Sequence, residues 1–204
     1  MRQGFFWKAA LIAIVKKAPL KLLTILLDRR GADVLITEKV VVAAAANYGN
    51  SKEVMTLLLD RRGADVPITE EVVAAIVRGF DKDVMTLLLD RRGADVPITE
   101  EVVKAAAAND GNGKDVMALL LDKRGADVPI TEKVLEKVIF NTGNGKEVMT
   151  LLLDRREKEV IEALARPIGG FSLTFEKTSP SSFRVHLMSG WLYRKFGVRA
   201  LNSS

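Results

Sequence analysis

The chain has 204 residues, of which 48% are hydrophobic and 28% are charged, and its formal net charge is +5. This composition is typical of one globular domain with short extensions and excludes wholesale disorder. With no cysteine and a single histidine, His186, the chain has no disulfide framework, thiolate zinc site, cysteine nucleophile or two-histidine metal site, so an enzyme is not expected.

Residues 1–30 are predicted to form a degenerate helix pair that caps the N-terminal end of a repeat array. Phe5 to Val15 aligns with the first helix of the repeat unit described next. A secretory signal is the alternative, but Lys8 interrupts it and its apolar stretch, Ala9 to Val15, has the minimum length for such a signal. No stretch approaches the roughly 20 apolar residues of a membrane-spanning helix.

Residues 31–166 are dominated by an internal repeat. The string Leu-Leu-Asp-Arg-Arg-Gly-Ala-Asp-Val begins at Leu26 and returns with small changes, so that its first aspartate recurs at intervals of 32, 30, 32 and 32 residues. Each of the first four aspartates is followed nine residues later by the threonine of an Ile-Thr-Glu-Glu/Lys-Val string. The shorter interval places a two-residue deletion around Arg78 to Asp81. The aspartates are Asp28, Asp60, Asp90, Asp122 and Asp154, and the threonines are Thr37, Thr69, Thr99 and Thr131.

Each unit is predicted to contain two helices. The first begins at the threonine, a good N-cap, and ends near an asparagine such as Asn109. The second resembles Lys52 to Arg62, has arginines in its last turn and is followed by a glycine such as Gly63. Because one apolar face of such a unit can be buried only by its neighbours, the pattern predicts an all-α solenoid of about five helix pairs.

The array is expected to end in an extended capping helix. In the fifth copy Glu157 replaces the glycine, so the second helix should run on to Ala165 before Pro167 stops it. Residues 167–204 form a basic tail outside the repeat, in which Phe171 to Phe175 alternates like a strand. Trp191 to Phe196 is basic and aromatic, which suits a membrane surface, nucleic acid or a docked helix.

The second half of the unit, for example Gly111 to Val128, resembles the second half of an ankyrin repeat. The resemblance covers about residues 16–156, but the ankyrin opening Thr-Pro-Leu-His is missing, and the interval from Gly63 to Thr69 is too short for the ankyrin β-hairpin. The variant is similar to ankyrin-like repeats of large fungal receptor proteins that also carry a NACHT-type NTPase domain, which this sequence lacks. The resemblance implies protein recognition, possible origin as a receptor fragment or paralogue, and little or no β-hairpin between repeats.

Three patterns in the repeats invite a ligand-binding interpretation. Gly111-Asn-Gly-Lys114 is similar to part of a phosphate-binding loop, but it lacks the earlier glycine and the following Ser or Thr, so a helix–helix turn is favoured. The same stretch, extended to Asp115, lacks calcium-ligand spacing. Arginine pairs such as Arg61-Arg62 could bind phosphates or instead pair with nearby aspartates.

The recurring methionines, Met55, Met85, Met117 and Met149, are predicted to fill the core.

Variation between units suggests where a partner would bind. Positions are numbered here from each threonine, so that +3 is always valine and should be buried. Positions +2 and +5 change between units and are predicted to be exposed, with drift on an unused surface as the alternative. The candidate partner-binding residues are Lys39, Glu71, Glu101, Lys104, Lys133 and Glu136.

The sequence therefore predicts a non-catalytic, cytoplasmic protein-binding scaffold without cofactor or metal, which could associate end to end. The alternatives are an adaptor that binds nucleic acid or anionic membrane through its basic ends, and a purely structural array. Residues 1–30 carry a net charge of +6, residues 31–166 carry −5 and residues 167–204 carry +4. Nucleic acid and membrane are thus not expected to bind the acidic repeats.

Overall fold

In a computed structural model, backbone contacts divide the chain into two compact units, Met1–Ala105 and Ala106–Ser204. The structure describes the backbone of residues 3–17, 19–30, 34–47, 49–79, 82–164, 173–179 and 182–187. It describes side chains for residues 10–17, 19–29, 34–47, 49–79 and 82–164. Within this part of the chain, the predicted helix pairs are present in both units.

The pairs follow one another along the chain. We call α1, α3, α5, α7 and α9 the first helices and α2, α4, α6, α8 and α10 the second helices. In the first unit the helices are α1 (Gln3–Lys17), α2 (Leu20–Arg30), α3 (Glu38–Ala45), α4 (Ser51–Arg62), α5 (Glu70–Gly79) and α6 (Lys82–Arg92). α7 (Glu100–Ala107) crosses the division, and the second unit continues with α8 (Gly113–Arg124), α9 (Glu132–Phe140) and α10 (Gly145–Leu164).

The repeated sequence explains where the helices begin and end. Thr131 caps α9 by accepting a hydrogen bond from the Val134 backbone N–H at 3.3 Å, and Thr69 and Thr99 accept longer bonds of 3.4 Å at the equivalent place. After α6 the chain turns at Gly93, whose φ of +48° favours glycine. The connections after α4, α6 and α8 each contain a short 3-10 turn, so the described connections between pairs hold helical turns where ankyrin repeats have hairpins.

The core lies between the helices of each unit. The constant valines at +3 are completely buried, as predicted. Leucines in the second half of the second helices, such as Leu58 and Leu88, are also completely buried. Met55, Met85 and Met117 are at most 1% exposed, which confirms that they fill the core, whereas Met149 in the last pair is half-buried. Neighbouring pairs share this core, since α2 packs on α4 and α4 packs on α6.

The last helix is extended as predicted, but it contains a break. α10 continues to Leu164 through the position of Glu157, while Arg156 has non-helical backbone angles of φ −139° and ψ 42°. Arg62 and Arg124 have similar angles at the ends of α4 and α8. Arg156 keeps the contacts of those arginines, so the backbone break of the repeat persists even where the chain resumes a helix instead of a 3-10 turn.

The described part of the repeats is helical, as predicted, and a two-stranded antiparallel hairpin follows it. β1 (Leu173–Ser179) pairs with β2 (Ser182–Leu187) so that Leu173 lies opposite Leu187, with an irregularity between Lys177 and Ser179. The strand predicted from the alternation of Phe171 to Phe175 is thus present from Leu173 onward. The basic aromatic segment 191–196 lies outside the described residues.

Candidate interaction surface

The candidate partner-binding residues lie on the first helices, on the face that points away from the core. Position +2 holds Lys39, Glu71, Glu101 and Lys133, and all four side chains are exposed, as the sequence predicted. Each stands beside the buried valine at +3, and Glu101 also pairs with Lys104 on the same helix. These four residues are therefore available to a partner in both units.

Position +5 is less exposed than predicted. Ala74 is buried, and Val42, Lys104 and Glu136 are half-buried, so the variety of residues at this position does not reflect full exposure. Lys104 shows the reason, because its ammonium reaches Glu101 at 2.7 Å on the same helix while only 20% of the side chain is exposed. The long aliphatic stem of a lysine can thus be partly covered while its ammonium stays near the surface.

Position +9 belongs to the same helix face and was missed by sequence reasoning. Positions +2, +5 and +9 are separated by three and four residues, which places them on one face of a helix. Arg78, Ala108 and Phe140 at +9 are exposed, with Phe140 at 53%, and Ala46 is half-buried. Comparison of the units at this position could have revealed it, because alanine, arginine and phenylalanine alternate there. We call positions +2, +5 and +9 of a first helix its variable stripe.

The exposed face of the second helices α4, α6, α8 and α10 does not vary in this way. Four lysines and four acidic residues occupy two equivalent positions in their first turns, and all eight side chains are exposed. Only Asp and Glu interchange at the acidic position. The lysines are Lys52, Lys82, Lys114 and Lys146, and the acids are Glu53, Asp83, Asp115 and Glu147. Exposure alone therefore does not account for the variation on the first helices.

The first arginine of each pair joins neighbouring helix pairs. Arg91 Nη1 donates to Asp60 Oδ1 at 2.5 Å, and Arg61 binds Asp28 in the same way. In the second unit Arg155 Nη1 donates to Asp122 Oδ1 at 2.5 Å. Each aspartate belongs to the preceding helix pair, so these contacts form a ladder that links consecutive repeats. We call this the arginine–aspartate ladder.

The second arginine of each pair is more buried and binds the backbone. Arg92 Nη1 donates to the Gly63 carbonyl oxygen, and Arg156 Nη1 donates to the Gly125 carbonyl oxygen, both at 2.6 Å. The Nε atom of Arg156 also lies 3.0 Å from Glu159. A backbone hydrogen bond, followed by the hydrogen bond from Arg156, lowers the pKa of Glu159 below its ordinary value.

An open groove lies beside these arginines in each unit, with volumes of about 380 Å³ and 330 Å³. The groove in the first unit is lined by Leu59, Gly63, Ala64, Arg91, Arg92 and Asp95. Its guanidinium groups already bind the aspartate and carbonyl oxygens of the neighbouring pair. This arrangement favours the structural interpretation of the arginine pairs over phosphate binding.

The asparagines that end the first helices also join the repeats. The side chain of Asn47 donates from Nδ2 to the Val15 carbonyl oxygen at 2.8 Å. Asn141 Nδ2 donates to the carbonyl oxygens of Ala107 and Asn109, at 2.9 and 3.3 Å. Asn47, Asn141 and the equivalent Asn109 are at most 8% exposed. The equivalent residue before the two-residue deletion is a glycine, Gly79.

The Gly-Asn-Gly stretches have a packing role in the turn between the two helices of a pair. Asn141 Oδ1 accepts hydrogen bonds from the backbone N–H groups of Gly143 and Asn144, at 2.9 and 2.8 Å. A Cβ atom on Gly113 would lie 2.9 Å from the Ala106 carbonyl oxygen, and one on Gly145 would clash with the Val138 carbonyl oxygen. These glycines allow the second helix to start against the backbone of the first.

In the part of the chain that the structure describes, no group of three or more acidic, histidine or cysteine residues could hold a metal ion. Among the same residues, no helix is long and apolar enough to cross a membrane. His186 lies in β2, where its Cα is paired with that of Thr174.

The helix pairs and their repeated joints define the chain as a tandem helical-repeat protein. The family model described as a domain of unknown function, DUF7104, matches residues 25–55, 57–78, 87–117 and 119–149. These segments cover more than half of the chain, which therefore belongs to the DUF7104 family. The matching model is neither an ankyrin nor a NACHT model. No curated protein and no solved structure matches the chain.

The family matches agree with the repeat that the sequence predicted. They start at residues 25, 57, 87 and 119, which reproduces the first three aspartate intervals. The second match stops at Arg78, where the two-residue deletion begins. Each match runs from one second helix through the next first helix. All four matched segments therefore include the connection between pairs and a complete variable stripe.

Proposed function

We propose that the chain is a non-catalytic protein-binding scaffold whose partner contacts the variable stripes of the first helices. The observation that carries this proposal is the contrast between two exposed surfaces of the same repeats. Position +2 changes sign between Lys39 and Glu71 and again between Glu101 and Lys133, whereas the lysine in the first turn of α4, α6, α8 and α10 never changes. A repeat scaffold gains specificity from such substitutions on a constant framework.

The chemistry of the stripe favours a protein as partner. Lysine and glutamate side chains stand beside an exposed phenylalanine, Phe140, and an exposed arginine, Arg78. A polyanion would require one sign of charge, while mixed charges with an aromatic group are typical of protein interfaces. This proposal also includes an ankyrin-like solenoid, a cytoplasmic location and a relationship to fungal NACHT-type receptors. The similarity of the Gly-Ala-Asp-Val strings to ankyrin repeats supports the ankyrin-like solenoid.

The proposal is tested by proximity labelling and affinity capture with matched variants. In the stripe variant Lys39, Glu71, Glu101 and Lys133 are all changed to alanine. In the control variant Lys52, Lys82, Lys114 and Lys146 are changed to alanine. We expect an identified protein partner to be lost from the stripe variant and kept by the control. Equal loss from both variants, or retention by both, contradicts the assignment of the stripe.

A second candidate function is an adaptor that binds an anionic membrane or nucleic acid through its basic N-terminal end. Lys16, Lys17, Lys21 and Arg29 are all exposed, and none of them makes an ion pair with the described residues. This candidate predicts binding to anionic vesicles or duplex DNA that weakens steeply with salt. Changing the three lysines to glutamate should abolish that binding and leave capture of a protein partner by the stripe unchanged.

A further inference from the structure

The arginine–aspartate ladder has an unused group at each end of the repeats. Arg29 aligns with Arg61, Arg91 and Arg155, each of which binds the aspartate of the preceding helix pair. Arg29 is exposed and makes no ion pair among the described residues. Asp154 aligns with the aspartates that accept these bonds, and it is likewise exposed and unpaired in the described part of the chain.

The first helix pair also exposes apolar surface that later pairs bury. Leu22 and Ile25 on α2 are 47% and 51% exposed. Val54 and Val148, which occupy the position of Leu22 in later pairs, are at most 2% exposed. The position is thus buried in second helices that follow another pair, such as α4 and α10, and exposed in α2. The N-terminal face of α2 therefore has the side chains of a repeat joint without the partner helix.

The last helix pair shows the opposite half of the joint. Met149 on α10 is half-buried, although Met55, Met85 and Met117 at the same position are at most 1% exposed. Thr150 beside it is exposed. In earlier pairs this side of the second helix is covered by the next pair. The C-terminal face of α10 thus combines a partly uncovered methionine with the unpaired carboxylate of Asp154.

We propose that a second copy of this chain stacks head to tail on the first, so that Leu22 and Ile25 of one copy pack against α10 of the other and Arg29 pairs with Asp154. The contact would continue, between molecules, the joint that links repeats within each unit. Beyond this pair, α2 and the end of α1 expose Lys16, Lys17 and Lys21, whereas α10 exposes both acids and bases, among them Glu147, Glu162, Lys146 and Lys158. The stripes are not involved, so this assembly is independent of the proposed function.

The first test is the mass of the full chain in solution, measured by sedimentation velocity and light scattering between about 1 µM and about 1 mM. A head-to-tail contact leaves both outer ends free, so it forms open chains and not closed rings of two. We expect the average mass to rise continuously with protein concentration. A monomer at all concentrations overturns the proposal, and so does a closed dimer that reaches a plateau.

Charge reversal tests the pairing of Arg29 with Asp154. Arg29→Asp and Asp154→Arg should each weaken association by about tenfold, because each places like charges together. The double variant Arg29→Asp/Asp154→Arg restores opposite charges and should recover association. Lys114→Glu is the control, since it reverses an exposed charge on α8 and should leave association unchanged. Failure of the double variant to recover contradicts the pairing.

A mixing experiment tests the polarity of the contact. Leu22→Arg weakens the head of the molecule and Asp154→Arg weakens the tail, so each variant alone should remain monomeric at concentrations well below its own dissociation constant for self-association. An equal mixture should form a dimer and nothing larger, because one intact head meets one intact tail while the remaining ends repel each other. Both changes are at exposed side chains, and circular dichroism checks that each variant is folded. A mixture that stays monomeric, or that forms longer chains, refutes the head-to-tail arrangement.

Discussion

Replacing Asn141 with alanine removes a buried side chain that makes four hydrogen bonds. Its amide nitrogen donates to the carbonyl oxygens of Ala107 and Asn109, and its oxygen accepts from the N–H groups of Gly143 and Asn144. The first two bonds tie one repeat to the preceding one, and the other two order the turn that starts α10. The substitution therefore breaks a joint between repeats and a joint within one.

The expected cost follows from the burial of these groups. Ala107 is fully buried, so leaving its carbonyl oxygen without a hydrogen-bond donor should lower the free energy of unfolding by about 1–3 kcal/mol. The N–H groups of Gly143 and Asn144 lie closer to the surface and can recruit water, so each should contribute less. We expect a total of about 3 kcal/mol, which lowers Tm by roughly 6–12 °C in a protein of this length.

Urea denaturation followed by circular dichroism measures this loss of stability, and two further variants test its cause. Asn112→Ala is the control, because Asn112 is exposed and its side chain makes no capping bond to α8, so its effect should stay within about 0.5 kcal/mol. Asn141→Asp should cost more than alanine, since it places a carboxylate against two carbonyl oxygens. An Asn141→Ala midpoint equal to that of Asn112→Ala would show that the amide does not hold the repeats together.

Two further predictions concern the turns and the end of the repeats. Gly145→Ala should destabilise the fold by about 2–3 kcal/mol, because its Cβ would clash with the Val138 carbonyl oxygen, whereas Gly111→Ala meets no backbone atom and should be nearly neutral in the same urea titration. Glu159 has a lowered pKa in the folded chain, so its contact with Arg156 adds stability above its ordinary pKa of 4.5 that is lost as the pH falls through the folded value. Glu159→Gln should therefore flatten the acid limb of a plot of urea midpoint against pH, and an unchanged acid limb would contradict this linkage.

The helices could be predicted from the sequence because their signals are local. Threonine caps, arginines in the last turn and a following glycine lie within a few residues of the helix ends that they determine. The buried valine at +3 followed from its constancy in four units. The same reasoning predicted the extension of α10, since the loss of a glycine at position 157 is also a local signal.

The joints between repeats could be predicted only in part, because they connect residues about thirty positions apart. The sequence suggested that the arginines pair with aspartates, but the partner of Arg91 is Asp60 of the preceding pair, 31 residues away. The role of Asn141 was missed because an asparagine at a helix end is explained equally well as a local stop signal. The break at Arg156 was missed for a related reason, since contacts with Gly125 and not local propensity hold that residue out of the helix.

The ladder also changes what the net charge of +5 implies about binding partners. Arginines inside the repeats are bound to aspartates or carbonyl oxygens of the neighbouring pair, so they add little to the field that an approaching ligand meets. The exposed cations without a described ion pair include Lys16, Lys17, Lys21 and Arg29, at the end where the first pair also exposes Leu22 and Ile25. A surface that joins positive charge to apolar side chains suits the part of α10 that carries Met149 and Asp154 better than it suits a uniformly charged polyanion. Salt should therefore weaken self-association only modestly, whereas nucleic-acid binding at the same residues would fall by orders of magnitude.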